Sequence, residues 1–164
     1  MTGWKRGWIF PALAILIWLA ATALVSETIP GSRRLLSPAV LLGVSKGLLL
    51  AIFSVMFRDY HAEDFVHQGV ICLVAGLAHA IPTAFASWLL LRRGFAANPL
   101  TAGLVAGTLA GLAGVAMLEL HCANFQALHV MLWHTAVILV SAGGGALLPW
   151  AFSNWTGAGK TLAG

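Results

Sequence analysis

An all-α, polytopic membrane bundle of about five transmembrane helices is the fold this sequence predicts, and three observations predict it. Of 164 residues, 60% are hydrophobic and 9% charged, against about 25% charged in a soluble domain. Five stretches approach the roughly 20 apolar residues that cross a bilayer as a helix, near 8–26, 37–57, 68–91, 99–120 and 128–150. Lysine and arginine come as pairs at the ends of these stretches and never as a basic run. That is the pattern of membrane topology rather than of a nucleic-acid surface, so no direct nucleic-acid contact is expected. The bilayer is the partner of most of the surface. Two cysteines without a CxxC make no disulfide framework. No polar stretch is long enough for a separate soluble domain, so 1–152 read as one membrane domain and 153–164 as a flexible tail.

The first stretch follows Lys5-Arg6 and is flanked by Trp4 and Trp8. A cleaved signal peptide ending near Ala21-Thr22-Ala23 is the competing reading, but the apolar run is longer than a signal peptide needs. The second opens on Ser37-Pro38, an N-cap followed by proline at the first helical position. The third carries Pro82, which should kink it unless neighbours satisfy the carbonyl it frees. The fourth repeats glycine at Gly103, Gly107, Gly111 and Gly114. Such a face lets a second helix approach closely, and it could also receive a helix of a partner protein. The fifth opens with His129, Trp133 and His134 and closes through Gly143-Gly144-Gly145. Trp133 reads as an interfacial anchor. Gly157-Ala158-Gly159-Lys160-Thr161 is not a phosphate loop, because Asn154 stands where its first glycine is required and no strand precedes it.

Five crossings put the chain ends on opposite sides. One side holds Arg33, Arg34, Arg92, Arg93 and Lys160; the other holds Lys5, Arg6 and Arg58. The excess of positive charge places the first side in the cytoplasm and the N-terminus outside. Because the third and fourth helices are antiparallel, Cys72 near the start of one and Cys122 just past the end of the other fall on the same, outer face. His67, His121, His129 and His134 open on that face too. His79 lies seven residues beyond Cys72, which returns it to the same helix face roughly 10 Å deeper.

Each residue has a plain structural reading. His61 and His67 suit a solvated loop, and His79 and His134 suit hydrogen bonds between helices. Cys72 alone is a small apolar side chain, and Lys46 suits snorkelling or pairing. Their convergence on one face is what favours function. Thiolate and imidazole are the donors that soft and borderline metals prefer. The two thiols could also form a disulfide if their Cα atoms approach within about 7 Å. Cys72, Cys122 and His121 form the expected metal set, with His129, His134, His79 and His67 as further or supporting ligands. His121 beside Cys122 should also favour its thiolate. No Ser-His-Asp arrangement appears, so catalysis is not the natural reading.

Gly69-Val70-Ile71-Cys72-Leu73, Trp88-Leu89-Leu90-Leu91-Arg92-Arg93-Gly94, Leu120-His121-Cys122 and Leu128-His129-Val130-Met131-Leu132-Trp133-His134 resemble the NrsF-like family of bacterial inner-membrane anti-sigma factors over about residues 33–150. The resemblance implies a six-helix membrane protein that restrains an extracytoplasmic-function (ECF) sigma factor, and so regulates transcription under stress. It also implies that outward cysteines matching Cys72 and Cys122 respond to heavy metals or oxidants. No obligatory cofactor is implied, only a transient transition or heavy metal ion. The family opens with a polar cytoplasmic segment and one more helix. Here Met1–Gly7 alone precede the first apolar stretch, so the chain is read as an N-terminally shortened member. Ala123-Asn124-Phe125 replace the usual acidic residues and proline.

A sensory anti-sigma domain is thus the leading expectation. A small structural subunit using the glycine face is the second, and a metal-ion transporter using the Cys/His cluster with Lys46 the third.

Overall fold

The computed structural model describes residues 7–29, 31–33, 36–61, 64–93 and 98–155, and side chains as far as residue 148. Among them it is all-helical, and five helices are long and apolar enough to cross a membrane. They are α1 (Ile9–Thr28), α2 (Pro38–Met56), α3 (Phe65–Arg93), α4 (Pro99–His121) and α5. The last is a continuous rod of an α-turn Ala127–His129, a π-turn Val130–His134 and an α-helix Thr135–Trp155. Lys5, Arg6, Arg34 and Lys160 of the charge argument, and residues 157–161, lie outside the described residues.

The helices begin where local chemistry dictates. Ser37 Oγ accepts from Val40 N–H at 3.2 Å, with Pro38 next in the chain. Asn98 Oδ1 accepts from Leu100 and Thr101 N–H at 3.0 and 3.3 Å, followed by Pro99. These caps satisfy amides that have no intrahelical acceptor. Asp64 turns the chain into α3 in the left-handed region, φ 49°, which aspartate tolerates better than most residues. α3 runs unbroken through Pro82 and exceeds the expected 68–91 at both ends. The last helix continues to Trp155, past the expected apolar stretch of 128–150.

α4 is the axis of the bundle: 67% of its span is buried, against 17% of α3. α5, α3 and α1 pack around it. Ile9, Leu13, Leu16, Ala20 and Leu24 form the buried stripe of α1, and Leu41, Ser45, Leu49 and Phe53 that of α2, each the three- or four-residue spacing of a single helix face. The outer faces present Ile15, Trp18, Val74, Ile81, Phe85 and Leu147, an apolar surface that suits lipid and not water.

The glycine repeat is filled from within the chain. A Cβ on Gly107 would strike the Ser141 carbonyl, one on Gly111 would lie 2.6 Å from Ile138 Cα, and one on Gly145 would strike the Gly103 carbonyl. Gly114 sits against the backbone of Gly76 on α3. The partner expected for this face is therefore α5, with α3 at its end. At these positions Ile138, Ser141, Ala142 and Gly145 occupy the face at backbone distance.

Candidate cysteine–histidine site

The site forms where α3, the end of α4 and the start of α5 meet. Cys72 lies in the second turn of α3. Cys122 closes α4, its N–H donating to the Leu118 carbonyl at 2.7 Å. The antiparallel packing brings their Sγ atoms to 3.5 Å, and they are not joined as a disulfide. The short 4–5 junction is pinned from three directions. Asn124 Nδ2 donates to Gln68 Oε1 of α3 at 2.6 Å. Ala127 N–H donates to the Asp59 carbonyl at 2.6 Å. Phe125 stacks on Phe57 with ring centroids 6.3 Å apart.

The π-turn then sets the histidines. In an α-helix, side chains five residues apart diverge by about 140°. A π-turn bonds residue i to i+5 and winds more widely, so residues five apart come much closer to one face. His129 and His134 bracket this turn, and their rings lie edge to face at 5.6 Å. Both are buried. His129 Nε2 is 3.8 Å from Cys122 Sγ. His134 Nδ1 lies 2.7 Å from Oε1 of the buried Glu119. The carboxylate accepts there, so it fixes a proton on Nδ1 and leaves Nε2 for other work. One donor atom from each of Cys72, Cys122, His129 and His134 falls within 4.8 Å of the others. Phe53 of α2 closes the far wall, edge-on to His134 at 6.4 Å. Burial acts to raise the pKa of the Cys122 thiol, but the facing His134 imidazole, the Asn124 backbone and Cys72 together lower it, so the thiol ends below its ordinary value. Asp59, in the exposed 2–3 junction, is held below the usual carboxylate range by the hydrogen bond from His61.

The family model for NrsF, negative regulator of sigma F, matches residues 5–155. The chain belongs to the NrsF family. The match takes in α1 as well as the region from residue 33 that carries the sequence resemblance. No curated protein sequence and no solved structure matches the chain. Membership makes it a regulator that acts on a sigma factor, and its five apolar helices make it one built to sit in a membrane.

In this NrsF chain the remaining candidate residues are distributed differently from expectation. His121 does not join the thiols, although it precedes Cys122. Its Nδ1 engages the Met117 carbonyl at 2.9 Å and its ring stacks on His79 at 5.7 Å. Helical geometry explains this: the side chain belongs to the last turn of α4, whereas Cys122 has already left the helix. The imidazoles beside the thiols are those of His129 and His134. His79 bonds back to the Ala75 carbonyl at 2.7 Å, and His67 is exposed at the start of α3. Trp133 is a packing residue first: its ring covers Gly69, where a Cβ would collide with it, and lies 5.8 Å from Phe65. Glu119 was not a candidate. Its one sequence signal is that it is the only charged residue in an otherwise apolar helix, a position that by default asks for a functional partner.

A cleft of about 340 Å³ leads to the sulfurs. Cys72, Cys122, His121, Gln68 and Asn124 line it, so both thiols face the same opening.

Proposed function

We propose that the chain is the membrane-embedded sensory part of an anti-sigma factor in the bacterial inner membrane. It restrains an ECF sigma factor and releases it when Cys72 and Cys122 react with a thiophilic metal ion or an oxidant. The observation that carries the reading is the 3.5 Å approach of two sulfurs 50 residues apart in sequence. Either reagent links α3 to the 4–5 junction. A metal ion takes both sulfurs as thiolates and releases their protons. An oxidant such as dichromate accepts two electrons and two protons as the S–S bond forms. A bond made in only one packing of the helices shifts the population towards it. The arginine-bearing ends, Arg33 and Arg92-Arg93, transmit the shift on the cytoplasmic side.

A reporter for the partner sigma factor, with cadmium or dichromate added, tests this. Cys72→Ser and Cys122→Ser should each abolish the response while the protein stays in the membrane. The double variant should match either single one, because the thiols act as a unit. A normal response in either single variant removes the thiol pair from the mechanism. The orientation has its own test. A membrane-impermeant maleimide should label Cys122 in intact spheroplasts, and labelling only after permeabilisation reverses the sidedness.

A further inference from the structure

The thiols are half of a larger donor set. His134 Nε2 is buried and makes no hydrogen bond among the described residues, while His129 turns its Nε2 to Cys122 Sγ at 3.8 Å. Leaving a buried imidazole nitrogen unpaired is costly, and such an atom calls for an explanation. Around a tetrahedral ion with metal–sulfur bonds of about 2.3 Å, the two sulfurs stand about 3.8 Å apart. The sulfurs here are at 3.5 Å, Cys122 Sγ and His129 Nε2 are at 3.8 Å, and the whole set lies within 4.8 Å. Little movement is needed to enclose an ion.

We infer that Cys72, Cys122, His129 and His134 form a closed tetrahedral site for a borderline d10 divalent cation, Zn2+ or Cd2+, and that Glu119 is its positioning residue. This rests on the proposed function only in taking the thiols as the responsive element. Glu119 acts through His134: it holds the proton on Nδ1 at 2.7 Å and turns the Nε2 lone pair towards the sulfurs. A carboxylate behind a ligating histidine fixes the ring and raises its basicity. Two thiolates and two neutral imidazoles balance a divalent charge. Four protein donors leave no open position, which marks a structural or regulatory site rather than a catalytic one. The cleft beside Gln68 and Asn124 supplies the entry path. Phe53 and the buried Val130 of the π-turn lie on the inner side.

The test uses the full chain, reduced and in detergent. X-ray absorption on the Zn2+-loaded protein should show two sulfurs at about 2.3 Å and two nitrogens at about 2.0–2.1 Å. Cobalt(II) should bind one ion per chain with tetrahedral d–d bands and thiolate charge transfer. Glu119→Gln should weaken Co2+ binding by about 10–100-fold while preserving the band shape. His134→Gln should weaken it at least as much, and His121→Ala should leave it unchanged. A first shell without imidazole nitrogen, six-coordinate cobalt, or unchanged affinity in Glu119→Gln overturns the proposal, and the absorption measurement needs no variant to fold. The two readings fail separately. If His134→Gln loses Co2+ binding yet keeps its response to dichromate, the metal site is supported and the thiol switch stands. If the reporter ignores both serine variants while the wild type binds Zn2+ through two sulfurs and two nitrogens, the metal site stands and the switch falls.

Discussion

The α4–α5 hairpin is held at its two ends by opposite means. At one end Gly103, Gly107 and Gly145 bring backbone onto backbone, and side chains are simply missing. At the other, Glu119, His129 and His134 are buried polar groups whose satisfaction depends on one another. The glycine end gains dispersion and is indifferent to chemistry outside the membrane. The polar end gathers two thiols and two imidazoles within 4.8 Å of one another, a set of donors open to chemistry that the glycine end lacks.

The largest effect should come from breaking the inert end. Gly107→Leu forces a side chain into the Ser141 backbone and should cost about 3 kcal/mol or more. Thermal unfolding in detergent should show a loss well beyond that of Leu104→Ala, and an unchanged midpoint would mean that the face looks onto lipid.

At the reactive end, Glu119→Ala strands the His134 Nδ1–H in a buried site and should cost about 2 kcal/mol. Glu119→Gln keeps an acceptor and should cost less. Equal losses in the two variants would show that volume, not the hydrogen bond, matters there.

The smallest effect should be at the mouth of the cleft. Asn124→Ala removes the 2.6 Å bond to Gln68 and should cost about 1 kcal/mol. It should also speed alkylation of Cys72, since Gln68 and Asn124 both line the approach. A slower reaction would argue that Asn124 guides the reagent instead of guarding the opening.

Much of this contrast is legible in the sequence. Length and apolarity gave five spans, and Ser37-Pro38 marked the start of α2. Antiparallel packing of α3 and α4 already places Cys72 and Cys122 on one face. The glycine spacing announced a close contact but not its partner. The small residues Ser141, Ala142 and Gly145 carried that information on α5. The choice of histidines was hidden, because an α-helical reading points His129 and His134 about 140° apart. Only the π-turn brings them together, and no residue in Val130–His134 advertises one. His121 misled for the converse reason: adjacency in sequence to Cys122 is lost where the helix ends between them.

If two thiols 50 residues apart act as one reactive unit, cross-linking in native membranes should capture them as a pair. Diamide, which takes up two electrons and two protons, should convert the wild-type chain to an intramolecular Cys72–Cys122 disulfide. Peptide mass spectrometry should find the linked pair, and neither thiol should then react with N-ethylmaleimide. Both cysteines remaining fully alkylatable after diamide, or linking only between chains, would contradict the account.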